Sequence, residues 1–85
     1  MQQPDTTNYE YLAITANYWG SGKTEAQALR NCRSQDGGEH VRRYGYVMWH
    51  VHPDSEVTHD GRVSWPVGHP AIRIKDARKR PPRPS

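Results

Sequence analysis

Hydrophobic and polar positions alternate from Tyr9 onward: Leu12, Ile14, Ala16 and Tyr18 fall on one side of a period-two pattern, and Tyr11, Ala13, Thr15 and Asn17 on the other. That period predicts a half-buried strand over residues 9–18. Gly20-Ser21-Gly22 then interrupts it, and Thr24 with Gln27 three residues later has the spacing of a capping box, so a helix is expected to start there. Ala28, Leu29 and Cys32 share its apolar stripe, with Ala26 at the edge, and Gly37-Gly38 stops it near Gln35. A helix of about three turns with so narrow a stripe needs a sheet to lie on. Residues 44–52 are the densest apolar stretch and predict a second strand, with Val47, Trp49 and Val51 on one face and Tyr46, Met48, His50 and His52 on the other. Pro53-Asp54-Ser55 closes it as a turn. Residues 56–65 read as a hairpin around Asp60-Gly61, a dipeptide suited to the positive φ angles of a type I′ turn. Beyond Pro66, Gly68 and Pro70, residues 71–74 have the pattern of a short edge strand.

This order predicts an α+β domain: a single small antiparallel sheet of 3–4 strands, β-α-β-β in sequence, with one helix packed on one face. The other face is expected to carry the tyrosines and histidines. Residues 1–8 are polar without periodicity and read as a flexible leader, residues 9–75 as the domain. Residues 76–85 mix prolines with cations and read as a disordered basic tail whose removal leaves folding intact.

Composition makes the core thin. Leu, Ile and Val together are about 13% of the 85 residues and Phe is absent, so the burden falls on three Trp and five Tyr. A chain of this length has room for one domain. Of its 12 Lys and Arg residues, five lie in residues 75–85 against Asp76 alone, so the net charge of +3 belongs to the tail and the body is close to neutral. Cys32 has no partner for an internal disulfide, and no apolar run approaches the roughly 20 residues of a membrane span. A soluble cytoplasmic protein without a cofactor, and with no membrane contact, is expected.

Three groups of residues have the types that carry chemistry. Gly20-Ser21-Gly22-Lys23-Thr24 resembles the second half of a P-loop, but Asn17 stands where the full pattern has glycine, which leaves a glycine turn followed by a helix cap. His50 and His52 share a strand face, with Asp60 downstream as an oxygen donor, and support a remote alternative, a metal-binding hydrolase fragment. Trp49-His50-Val51-His52-Pro53-Asp54 is similar to the His-x-His-Pro core of the JAMM metalloproteases, in which two histidines and an aspartate hold zinc. Asp60 and Val63 occupy that family's serine and aspartate positions, so no catalytic set and no metal are expected here. Cys32, on the apolar stripe of the helix, reads as a core residue. The third group is aromatic and basic. Tyr44, Tyr46, Met48 and Trp65, with Arg42 and Arg43 beside them, are the residue types of an interface core and rim. Alternatively, Arg42 and Arg43 together with Arg78, Lys79, Arg80, Arg83 and Lys23 neutralise the phosphates of a nucleic acid.

Tyr18-Trp19-Gly20-Ser21-Gly22-Lys23-Thr24-Glu25-Ala26, with Asp60-Gly61-Arg62-Val63-Ser64-Trp65-Pro66 later, resembles small proteins carried by bacteriophages and other mobile elements. Their pattern is a Tyr-Trp-Gly-x-Gly strand end, a Thr-capped helix and an Asp-Gly hairpin ending in Trp, and the resemblance covers about residues 9–66. It implies a non-enzymatic inhibitor of a host defence complex, of the anti-CRISPR type, that occludes a protein or nucleic-acid-binding surface in the host cytoplasm. The partner expected on that basis is a host protein or ribonucleoprotein. Direct nucleic-acid binding through the tail and Arg42/Arg43 is the alternative, and a second copy of the chain is a further candidate partner for so thin a core.

Overall fold

The computed structural model describes residues 6–58 and 61–79. In chain order the elements are β1 (Glu10–Ile14), β2 (Trp19–Gly22), α1 (Glu25–Arg33), α2 (Glu39–Tyr44), β3 (Val47–Val51), β4 (Glu56–Val57), β5 (Val63–Ser64) and β6 (Ile72–Asp76). An antiparallel sheet runs β2-β1-β3-β6, and β4 and β5 pair separately as a hairpin. The α+β class and the antiparallel sheet are as expected, with two helices in place of one.

The strand predicted over 9–18 is β1 followed by a turn. β1 ends at Ile14, and the chain reverses through Ala16 and Asn17 with the Thr15 amide donating to the Tyr18 carbonyl at 2.9 Å. Period-two alternation runs through this turn because neither glycine nor proline marks it. Gly20-Ser21-Gly22, expected to break the strand, is itself strand β2, paired along its length with β1. Glycine is a poor strand former. Here it is required by the helix above: a Cβ added to Gly20 would lie 2.6 Å from the Asn31 carbonyl carbon and 2.8 Å from the Ala28 oxygen, both backbone atoms of α1. The helix therefore rests on bare strand.

Its start is the predicted one. The Thr24 hydroxyl accepts from the Gln27 amide at 3.1 Å, and the Gln27 side chain accepts from the Lys23 amide at 2.9 Å, a capping box whose return bond reaches one residue further back. Ala28 and Cys32 are fully buried beneath it against Ala13 and Met48. The covered face of the sheet is accordingly the one with Tyr11, Ala13, Tyr46 and Met48, which reverses the expectation that the helix would leave the tyrosines and histidines on an open face. The reason is depth. Small residues on β1 and β2 let α1 sit low, and the remaining space takes the long unbranched side chain of Met48. On the opposite face Leu12 and Val51 are buried too, and grooves lined jointly by the β1–β2 turn and by Val57, Thr58 and Gly61 place the hairpin over that end.

α2 went unpredicted. Asp36 makes it: one carboxylate oxygen accepts from the Gly38 amide at 3.0 Å, the other from the His40 amide at 2.8 Å, and Gly38 takes the left-handed φ of 87° that turns the chain. Val41 then anchors the short helix in the core, and Tyr44, expected to open the second strand, is its last residue. The predicted hairpin around Asp60-Gly61 is present as β4–β5, with Gly61 at a φ of 82°; residues 59 and 60 lie outside the described residues.

The boundary of the tail also moves. β6 runs to Asp76, and the chain stays paired beyond it: the Ala77 amide donates to the Tyr46 carbonyl at 2.9 Å and the Lys79 amide to the Tyr44 carbonyl at 2.8 Å. Residues 76–79 belong to the domain, and residues 80–85 lie outside the described residues. Gly45 permits the crossing, since a Cβ there would sit 2.8 Å from both Arg78 Cα and Lys79 N.

Two stability measurements test this arrangement. Gly20→Ala drives a methyl into helix backbone and should cost about 3 kcal/mol, lowering Tm by about 10–20 °C in thermal melts, whereas Gly37→Ala, in open space with only its φ of 71° at stake, should cost about 1 kcal/mol. A chain ending at Lys79 should melt like the full chain. One ending at Lys75 should lose both C-terminal backbone bonds and melt several degrees lower, against the sequence-based expectation.

A cationic seam as candidate functional site

The C-terminal segment lies between two grooves that share Gly45 and Lys79. The first, about 510 Å³, opens on the helical side and is lined by Arg33, Val41, Arg42, Tyr46 and Lys79 among others. The second, about 430 Å³, opens on the opposite face against Val47, Trp49, Arg73, Arg78 and Lys79. Lys75 joins the same surface, its amine 5.6 Å from the centroid of the Tyr46 ring. Six cations are thus gathered around one strand, countered by three carboxylates: Glu39, paired with Arg42 at 2.6 Å, Asp76, paired with Arg78, and Glu25, whose charge acts on Lys75. The other described positions carry Lys23, Arg30, Arg43 and Arg62 against Glu10, Asp36, Asp54 and Glu56, so the excess of positive charge is concentrated at the seam.

Two of these cations are held in place. Arg78 donates from Nε to one Asp76 oxygen at 2.9 Å and from a terminal nitrogen to the other at 2.7 Å. That side-chain pairing, helped by the Arg78 backbone amide, lowers the Asp76 pKa to about 2. Lys79 Nζ donates to the Arg42 carbonyl at 2.6 Å, tying the C-terminal segment to α2. The Arg42–Glu39 pair is exposed on both sides and leaves Arg42 free to exchange partners.

The sequence-derived candidates separate accordingly. Tyr44 and Trp65 are 43% and 45% exposed, and Arg42 and Arg43 are exposed on α2. Tyr46 is half-buried at the seam. Met48, expected at a partner-binding surface, is 1% exposed and belongs to the core under α1, where the parity of β3 puts it beside Ala28 and Cys32. Arg78 and Lys79 are in the seam, Arg80 and Arg83 lie outside the described residues, and Lys23 sits before α1 and lines neither groove. Arg33, Arg73 and Lys75 were missed. Arg73 and Lys75 flank Ile74 in a segment read as an edge strand running into a tail, and Arg33 reads as an ordinary C-terminal helix cation, so no local signal joins them.

The other constellations have structural occupations. Gly20-Ser21-Gly22 makes no phosphate loop, since it is strand, and the Lys23 amide is taken by Gln27. Tyr11 stacks on His50 at 4.8 Å, while Tyr9 packs edge-on against His50 and His52 at 5.2 and 6.1 Å. His52 accepts the Asp54 amide at Nδ1 and lies 4.5 Å from the His69 ring. Among the described residues no three His, Cys, Asp or Glu side chains converge to hold a metal ion; Asp60 lies outside them. His40 pairs with Asp36 at 2.7 Å through Nδ1, and its Nε2 lies 2.9 Å from the Asn17 amide, so both ring nitrogens fasten the α2 turn. Burial works against ionisation of Asp36, but hydrogen bonds from the His40 amide, the His40 ring and the Gly38 amide outweigh it and lower its pKa. Burial pushes the Cys32 thiol up, as suits a core residue. Among the described residues no helix is long and apolar enough to cross a membrane.

Comparisons of the chain with protein-family models, curated proteins and solved structures give no match.

The lowered Asp76 pKa has a sign that can be measured. A carboxylate with a depressed folded pKa contributes stability that is fully present above its unfolded pKa and is lost as pH falls through the folded value of about 2. The small difference in Tm between the wild type and Asp76→Asn should therefore be constant from pH 8 to about pH 5 and shrink toward zero as pH falls from about 4 to about 2.

Proposed function

We propose that this protein is a non-enzymatic binding module that takes the phosphate backbone of a nucleic acid on the seam formed by α2, β6 and residues 77–79. The observation that carries this reading is the segregation of charge: Arg33, Arg42, Arg73, Lys75, Arg78 and Lys79 gather around one strand, while the cations and carboxylates elsewhere among the described residues nearly cancel. A clustered cationic stripe is the electrostatic footprint of phosphate binding, and the aromatic rings of Tyr44, Tyr46 and Trp49 interleave with it. A protein-occluding inhibitor of a host defence complex is the second reading. It is supported by Trp19 and Trp65, each nearly half exposed, which are the side chains an interface core favours.

Salt separates the two. A contact with about five phosphates loses about two to three orders of magnitude in affinity between 50 and 200 mM salt, and an aromatic-anchored protein interface changes far less. Titration of a labelled oligonucleotide against the full chain should show the steep dependence. Arg73→Ala should weaken binding uniformly across sequences and reduce the slope of log K against log salt by about 1. Affinity that is flat with salt would favour the protein-interface reading instead.

A further inference from the structure

We infer that the groove opposite α1 is a nucleobase-stacking subsite, so that the ligand of the seam is single-stranded nucleic acid; this deepens the reading above and rests on it. Three features of the structure lead there. The groove has the size of a small-molecule site, and its lining includes the half-buried Trp49 with Ile14 and Val47 and the exposed Tyr44. The pairing of β3 with β6 puts Arg73 opposite Trp49, and both line the groove, so a cation and the ring on which a base would lie share one site. Arg78 is fixed there by its two bonds to Asp76, and Lys79 by its bond to the Arg42 carbonyl. Aromatic and cationic side chains in one groove match the two halves of a nucleotide, base face and phosphate.

The second groove determines which form of nucleic acid fits. It opens on the other side of residues 77–79, carries Arg33 and Arg42, and shares Lys79 with the first. A strand that engages both must bend over the edge of the protein within a few nucleotides. A duplex has a persistence length of about 50 nm and keeps its bases paired and stacked away from an aromatic ring. A single strand bends freely and offers unstacked faces. The charge of the seam attracts either form, and the stacking rings and the turn over the edge select the single strand.

Fluorescence anisotropy tests this with a labelled 12-nucleotide oligothymidine and a blunt 12-base-pair duplex, each at 50 mM salt with the full chain. The single strand should bind at least tenfold more tightly than the duplex. Trp49→Leu should weaken the single strand about tenfold and leave duplex affinity unchanged, with Trp49→Phe recovering most of the loss. Tyr44→Ala, at an exposed position, should weaken the single strand about threefold and stands as the second variant if Trp49→Leu lowers Tm. Duplex bound as tightly as the single strand, or single-strand affinity indifferent to Trp49 and Tyr44, overturns the stacking subsite while leaving salt-dependent phosphate binding in place. Absence of binding to both oligonucleotides overturns the nucleic-acid reading itself, and this inference with it.

Discussion

The backbone of α1 lies directly on Gly20, and the rest of the domain is arranged around that approach. With no side chain between helix and strand, the layer beneath α1 is shallow enough to be filled by Ala13, Ala28 and Cys32, and Met48 is the large side chain it fully encloses. A chain poor in Leu, Ile and Val can build a dense interior this way, because close packing depends on matching depth to side-chain volume rather than on the number of large aliphatics. The same closeness closes an edge. Antiparallel pairing turns the carbonyls of Trp19 and Ser21 outward on β2, and the side chains of Gln35 and Asn31, carried by the helix and the turn after it, donate to them. An edge strand that would offer itself to other chains is occupied from within.

A second bare position, Gly45, does for the C-terminal segment what Gly20 does for the helix. Its φ of 76° ends α2, its carbonyl accepts the buried Thr15 hydroxyl at 2.7 Å, and its missing side chain lets residues 77–79 cross. The sheet therefore extends past β6 alongside the end of α2, and it is this extension that brings Arg78 and Lys79 beside Arg42. The charge concentration on which the functional reading depends is thus a product of backbone packing at one glycine. Every cation in it stays at the surface, where an ammonium or guanidinium keeps its hydration, and Glu39 and Asp76 orient Arg42 and Arg78 without burying them.

Much of the fold is legible in the residues themselves. Thr24 and Gln27 set the start of α1, Pro53-Asp54-Ser55 ended β3, Asp60-Gly61 marked the hairpin, and the two parities of β3 were assigned correctly. The misreadings have definite causes. Alternation continues through Ala16 and Asn17, so the turn after β1 reads as strand, and Gly20-Ser21-Gly22, which is part of β2, reads as a break. Gly37-Gly38 does follow the end of α1, where the Gly38 amide donates to the Arg33 carbonyl, yet the Asp36 carboxylate also makes it the entry of α2. At the site, the aromatic and basic residue types were visible, but Met48 was assigned to a surface that the helix covers, and Arg33, Arg73 and Lys75 were passed over because each is unremarkable among its sequence neighbours.

What the amino-acid sequence determined by itself is whatever is decided within a few residues: caps, turns, the period of each strand and the supply of cations and aromatics. Which face of the sheet receives the helix, and which cations become neighbours, were decided only by the tertiary structure. Both depend on two glycines whose role is to admit backbone from elements 8 or more residues away for Gly20 and more than 30 away for Gly45. A missing side chain leaves no pattern of its own along a chain. Its meaning is the atom that comes to occupy the space, and that atom is known only once the elements have packed.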